Sequence, residues 1–363
     1  MASQHWTRLG VIVATHVAVL AGGSTVSAQA PKIDERPSCG ACRIELRRIA
    51  TVSGDVFGVT RISKISLGVS GATAVGPTYS RGEVSFQRNG VVSTIGRPGA
   101  GPGEIGSVWH VLVAAGDTLH VADSENGRIT VYAPNGRYVR TIPLPARPGA
   151  IIPVDSGYIM QGLIRTPEAF GFAIHLVGYD GVVRKSFGSA PTNIDAQVAF
   201  FTADRVLARG VESTLWAVDP NTFRVEHLTE TGSVARSFVR DPQWAAAFDP
   251  RKPNEGHSRV LGVRVVGDRM WMISLAPDPS WRVEAAAGED GFYSITQMDR
   301  RFDTVVDVVN LKQGRIEASS RFDSYYSATV EGLIVRLSED QRGVLHAVVL
   351  EPIMLEAKED VPW

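Results

Sequence analysis

Cysteine is nearly absent: Cys39 and Cys42 are the only two in a chain of 363 residues. Two thiolates cannot close a structural zinc site, which takes four ligands. An excess of charge of one sign is also lacking, with 37 Lys and Arg against 38 Asp and Glu and a net charge of -1. No long-range field therefore steers the surface as a whole toward nucleic acid or anionic lipid. There is also no run of basic residues interleaved with aromatics of the kind that tracks a phosphate backbone. After the first 30 residues no apolar run is long enough to span a bilayer, which takes about 18 residues or more. Neither a Ser-His-Asp order nor a His-Glu-x-x-His motif is visible.

What the chain does have is apolar mass and turns. Hydrophobic residues make up 44% and charged residues 21%, with 36 Gly and 20 Pro, which describes a globular chain with a large core rather than a disordered one. The start reads as an address: Arg8 leads into an apolar run from Leu9 to Ala21 and then into small residues up to Ala30. This is the pattern of a secretory signal peptide over 1–28, cut after Ala28 with Val26 and Ala28 at the small-residue sites. The expected destination is the periplasm or the exterior, with no membrane span once the signal is removed. Residues 29–42 then form a linker carrying the cysteine pair, and 43–363 form the folded unit.

Export to an oxidising compartment makes Cys39 and Cys42 candidates for a local disulfide. A c-type haem site needs His after the second Cys, and Arg43 stands there. A redox pair sits at a helix N-terminus, whereas Cys42 runs into the strand-like 43–52. A structural disulfide is the expectation, with a redox pair or free thiols as alternatives.

The fold signal is a recurring hairpin, in which one strand ends in a turn glycine and the next begins directly after it. It occurs at Asn89-Gly90, Asn135-Gly136, Asp180-Gly181 and Thr231-Gly232. These turns are spaced by roughly 45–50 residues, the period of four-stranded propeller blades. Each is followed by a strand with one apolar face and charges such as Arg140 or Lys185 that discourage edge pairing. Gly314 marks a fifth copy, displaced by an insertion in the Pro/Asp/Gly-rich 276–291. A sixth unit shows three strands, 325–337, 344–350 and 353–357, and lacks a fourth. The orphan strand 43–52 supplies it. The expected fold is therefore all-β, a six-bladed propeller closed by the N-terminal strand joining the last blade, which leaves no free sheet edge.

The clearest blade runs from about Val108 to Leu144. Gly101-Pro102-Gly103-Glu104, the stretch Val121-Ala122-Asp123-Ser124-Glu125-Asn126-Gly127-Arg128-Ile129 and the Asn135-Gly136 hairpin resemble NHL-repeat propellers and secreted bacterial six-bladed propellers. The resemblance covers about 50 residues, and Trp109-His110 departs from it. Gly99 to Glu104 is read as an inter-blade linker, because no Lys-Ser or Lys-Thr follows and Pro102 removes a donor. Asp123 and Arg128 flank one hairpin and are read as structural, holding it through hydrogen bonds or a surface ion pair.

Propeller sites gather at the central channel or on the loops of one face, since blade interiors are packed solid. His110, His257, Arg259 and Tyr325 stand near expected inner-strand starts and are the candidate channel groups. Trp281 lies in the insertion and is a candidate loop anchor for a partner or a sugar; Trp271 is expected in the core and Trp244 against a blade edge. Two functions remain. One is a non-catalytic binding or scaffold module for a protein, peptide or glycan, with no cofactor and no nucleic acid. The other is a metal-dependent, lactonase-like hydrolase or lyase holding Ca2+ or Zn2+ at the channel mouth, as some resembling propellers do.

Overall fold

The computed structural model describes residues 30–59, 62–76, 82–188, 203–211, 214–249, 256–280 and 295–356. The signal segment and Trp281 lie outside them. Strand β1 (Arg43–Ser53) is followed by five blades in chain order, then by the three remaining strands of a sixth. Blade 1 is β2 (Lys64–Leu67), β3 (Thr73–Gly76), β4 (Val84–Arg88) and β5 (Val91–Ile95). Blade 2 is β6 (Val108–Val113), β7 (Leu119–Asp123), β8 (Arg128–Tyr132) and β9 (Tyr138–Pro143). Blade 3 is β10 (Ala150–Val154), β11 (Gly157–Gln161), β12 (Ile174–Gly178) and β13 (Val183–Phe187). Blade 4 is β14 (Val206–Arg209), β15 (Leu215–Val218), β16 (Arg224–Leu228) and β17 (Val234–Val239). Blade 5 is β18 (Arg259–Val266), β19 (Arg269–Pro277), β20 (Phe302–Asn310) and β21 (Arg315–Phe322). Blade 6 is β22 (Ser327–Ala328), β23 (Ile334–Glu339) and β24 (Leu345–Leu355), completed by β1.

All six sheets are four-stranded and antiparallel. The closing pair runs from Arg43↔Leu355 to Ser53↔His346, with Ile44 opposite Met354 and Leu46 opposite Pro352. The register shifts between Arg48 and Ala50, so Ile49 sits in a bulge and is 42% exposed. A bulged residue leaves the alternation. Ile44, in register, is 5% exposed.

The core of the described residues is divided among the blades. Six apolar clusters each fill one seam between neighbouring blades. The seam of blades 1 and 2, for example, packs Ala74, Val84 and Phe86 against Val111, Val121 and Tyr132. This explains the strand patterns. Middle strands such as β3, β7 and β15 are buried at every position because both faces meet a neighbour. Outer strands are polar and bury one residue near their end: Ile95, Ile142, Phe187 and Phe238.

The hairpin glycines serve the seams as well as the turns. Gly90, Gly136, Gly181, Gly232 and Gly314 all have φ between 66° and 80°, a region that side-chain-bearing residues rarely adopt. A Cβ on Gly136, Gly181 or Gly232 would stand 2.5–2.7 Å from Ile95, Pro143 and Phe187 respectively, the ends of the preceding outer strands.

The structure divides blade 6 differently from the sequence expectation. The segment 325–337 is two strands, because the chain turns at Gly332 (φ 72°) with Gly332 N–H donating to the Thr329 carbonyl. The segments around 344–350 and 353–357 are instead one strand, β24, running through Pro352. Past Leu350, β24 has only β1 beside it, and a proline is admitted where the ladder is one-sided.

A strap precedes the ring. The backbone of Pro31 and Ile33 bonds to Val239 at the end of β17, and Asp34, Ser38 and Cys39 then bond to Gly314, Ile316 and Glu317 along β21. Ile33 fills the seam of blades 4 and 5. Below it Arg240, 3% exposed, joins Glu35 at 2.7 Å and Asp307 at 2.8 Å. Burial works against the Arg240 charge, but the two carboxylates outweigh it and hold the guanidinium above its ordinary pKa. Cys39 and Cys42 form a disulfide with Cα atoms 5.3 Å apart. Among the described residues no helix is long and apolar enough to cross a membrane.

Candidate functional site

The first strands of adjacent blades touch one another, β2 with β6, β10 with β14, β14 with β18 and β18 with β22. They ring a cavity of about 270 Å³ to which all six contribute: Lys64, His110, Ala150, Leu207, Arg259 and Ala328 each line it from a different blade. Its size follows partly from β22, which is two residues long. So short an inner strand leaves Val335 and Leu337 of β23 facing the opening.

Lys64 opens β2 and is half-buried, with Nζ 5.7 Å from the centre of the Trp109 ring. Burial, and then the nearby Arg147 guanidinium, lower its pKa below the usual lysine value. Arg147 is exposed and lies 3.4 Å above the same ring. Trp109 is fixed by its indole N–H, which donates to the Pro148 carbonyl. His110 bonds through Nε2 to the Gly149 carbonyl. Burial, with Lys64 and Arg147 adding repulsion, pushes its pKa down to about 3, so the ring is neutral at physiological pH and Nε2 is the donor.

Across the opening Asp204 accepts from Arg259 at 2.5 Å. Burial raises the Asp204 pKa, against the pull of Arg259 and Arg205. Arg205 also pairs with Asp219 at 3.3 Å. Asp204 is the one carboxylate among the described lining residues. At Glu331, in the turn between β22 and β23, burial raises the pKa although Ser66 and Thr329 hydroxyls bond to it.

Of the residues singled out from the sequence, the structure brings His110 and Arg259 together on the cavity wall. His257 is not among the lining residues; its ring packs 4.6 Å from that of Phe248. Tyr325 also stands off the lining. Its backbone N–H donates to Asp299, and burial raises its hydroxyl pKa while Arg259 acts against that. Trp244 packs on Phe223 with ring centres 5.7 Å apart, and Trp271 is 9% exposed in the seam of blades 5 and 6. Sequence reasoning missed Lys64, Arg147 and Asp204. The short β2 carries no alternation by which its first residue could be placed, and Asp204 and Arg147 precede inner strands rather than belonging to them.

Asp123 and Arg128 are structural, but the pair is not exposed. Asp123 is 1% exposed and accepts from the backbone N–H of Gly106, Ser107 and Asn126, while Arg128 donates to the carbonyls of Ala100, Gly101 and Glu104. Arg128 holds the 99–104 linker against the hairpin and Asp123 holds 106–107 there, and these contacts shield both side chains. One acidic trio, Asp278, Asp303 and Asp323, brings carboxylate oxygens within 4.8 Å of one another. It lies on blade 5 away from the cavity, and Asp303 is paired with Arg321.

No family model matches the chain, and no curated protein matches it. Solved structures do. A member of the DUF4221 family from Bacteroides vulgatus superposes with a TM-score of 0.59 at 12% identity, over 85% of this chain and 98% of that one. A candidate exported protein from Bacteroides fragilis gives 0.55 at 8% identity, over 91% and 99%. These likenesses place the chain among six-bladed β-propellers and stop at the fold.

Proposed function

We propose that the protein is an exported, non-catalytic propeller that receives the end of a peptide or glycan chain in its central channel. The observation that carries this reading is the cavity of about 270 Å³ walled by all six inner strands. Its volume is near the lower limit of small-ligand sites, about 300–1,000 Å³, so it takes a small molecule or a chain end rather than a folded partner. Of the described lining groups, the histidine and the carboxylate are both engaged, His110 with Gly149 and Asp204 with Arg259. Export is supported by the leader pattern of residues 1–28 and agrees with a disulfide at Cys39–Cys42. The NHL-like linker and hairpin of blade 2 also suit a binding module.

The lactonase-like alternative needs a divalent cation in the same mouth. Lys64 and Arg259 oppose a cation there, and one lining carboxylate, already paired, is a poor ligand set for Ca2+. The test is binding to arrays of peptides and oligosaccharides by the wild type and by Ala150→Trp, which fills the cavity from β10. Retention of a ligand subset by the wild type and its loss in a variant with unchanged circular dichroism is expected. A melting temperature raised by Ca2+ or Zn2+, together with turnover of a lactone, would overturn the reading in favour of catalysis.

A further inference from the structure

The charge around the channel mouth is not evenly balanced. On the side of blades 4 and 5 each arginine has its acid, Arg259 with Asp204 and Arg205 with Asp219. On the side of blades 1 to 3 no acid among the described residues pairs with a cation of the mouth; Glu331 accepts from Ser66. The Lys64 ammonium feels burial and the Arg147 charge, and no carboxylate among the described residues acts on it. Arg147 lies on the same indole, and among the described residues neither cation has an ion pair; their contacts are to the Trp109 ring, at 5.7 and 3.4 Å. The face of an indole attracts a cation but carries no net charge, so among the described residues two positive charges remain uncompensated beside a partly buried opening. His110 does not offset them, because it is neutral and its Nε2–H is given to Gly149.

An uncompensated cation at a mouth leading to Val111, Leu207, Leu261, Val335 and Leu337 suits a ligand with one anionic end and a less polar body. We propose that Lys64 and Arg147 form an anion subsite at the channel mouth that receives the carboxylate of the ligand, with Trp109 as the plate holding both cations in place. A dianionic phosphate fits less well. Phosphate sites use converging backbone N–H groups, helix N-termini or a guanidinium presented as a fork. Here Lys64 stands on β2, whose backbone pairs with β3, and the Arg147 guanidinium, carried by the loop between β9 and β10, is laid on the ring rather than presented as a fork. The subsite deepens the channel reading and rests on it.

Thermal unfolding of the full protein tests the assignment, at constant ionic strength, with hippurate and glucuronate against hippuramide and glucose, and with inorganic phosphate as a further arm. Saturating carboxylate is expected to raise the melting temperature by about 2–4 °C, and the neutral partners are expected to leave it unchanged. Lys64→Met should abolish the rise while melting at or above the wild-type temperature, because it removes an uncompensated charge; a lysine that served structure would lower it. Lys64→Arg should keep the rise. Equal shifts from the neutral partners, a full shift in Lys64→Met, phosphate acting where no carboxylate does, or a silent panel would each overturn the proposal. Array ligands displaced by Ala150→Trp but bound normally by Lys64→Met would overturn the subsite and leave the channel reading standing. Loss of all channel-dependent binding would remove both.

Discussion

Removing Asp307 is expected to be among the most destabilising single changes in this ring, and the reason is burial rather than the number of contacts. Arg240 and Asp307 side chains are each 1% exposed and stand 2.8 Å apart, while Glu35, the other partner of Arg240, is 22% exposed. Asp307→Leu leaves a guanidinium inside the blade 4–5 seam with only the partly solvated Glu35 to answer it. Breaking a buried pair from one side costs about 3–5 kcal/mol, and the surviving carboxylate places this case near the lower figure. Arg240→Met should cost about as much, since it strands Asp307. The double variant removes both buried charges from a seam already lined by Val225, Met272 and Val309, and it should return to within about 1 kcal/mol of wild type.

Urea unfolding at pH 7 reads all four corners of this cycle, provided the m-value is unchanged. The singles should lose midpoint and the double should recover most of it. A loss below about 1 kcal/mol in Asp307→Leu, or a double variant as unstable as the two singles added together, would refute the argument. Limited proteolysis supplies a second reading. Glu35 ties the 31–39 strap to Arg240, so cleavage within the strap should accelerate in Arg240→Met and not in Asp307→Leu.

Three further outcomes follow from individual positions. Gly181→Ala should cost about 1 kcal/mol more than Gly90→Ala in the same urea assay, because both glycines have positive φ but a Cβ at 181 meets the Pro143 carbonyl at 2.7 Å and one at 90 meets nothing. Ile44→Ala should cost about 2–4 kcal/mol as a core truncation, and Ile49→Ala, at the exposed bulge of the same strand, less than about 0.5. His120 bonds to Tyr158 at 2.9 Å and Thr118 at 3.1 Å, and burial, with Arg140 adding repulsion, pushes its pKa down to about 4. Since the unfolded histidine takes its proton near pH 6.5, the contribution is intact above that value and is lost as pH falls from 6.5 toward 4, by at most about 1.4 kcal/mol per pH unit. His120→Gln should reduce that slope by the His120 share, leaving the part that His110 supplies by the same argument, and an unchanged slope would remove His120 as a contributor.

The parts of this fold that were legible are those where one residue type answers one backbone demand. The hairpin glycines could be read because a positive φ admits little else, and their spacing marked five blades. The unpaired strand 43–52 and the incomplete blade 6 pointed to each other for the same reason: a sheet of three and a strand with no partner both leave open edges. The strap was not legible, because Pro31 to Cys39 joins β17 and β21 through backbone hydrogen bonds that almost any side chains permit. Blade 6 was divided in the wrong places because Pro352 looked like a strand end and Gly332 like an interior glycine. At the channel, His110 and Arg259 could be placed by their position at inner-strand starts. Lys64 could not, since its four-residue strand has too few positions to show a period, and its uncompensated charge depends on Trp109 and Arg147, which arrive from other blades.

Ring closure and the channel share a blade, and this links ligand binding to the N-terminal strand. Val335 and Leu337 of β23 face the cavity, β23 pairs with β24, and β24 pairs with β1. A ligand touching Lys64 on one side of the closing seam and Val335 on the other can be held only while β1 keeps blade 6 in register against blade 1. Whatever binds the closed ring and not the opened one adds its binding free energy to the closed state. Amide hydrogen exchange in β1 should therefore slow on addition of a channel ligand, most clearly at Ile44 to Arg48 where the register is regular, while exchange in β13 of blade 3 stays as it was. Equal slowing in both strands would mean general stabilisation. No slowing in β1, with binding confirmed, would mean that the ligand leaves closure untouched and that the mouth is built on blades 1 to 3 alone.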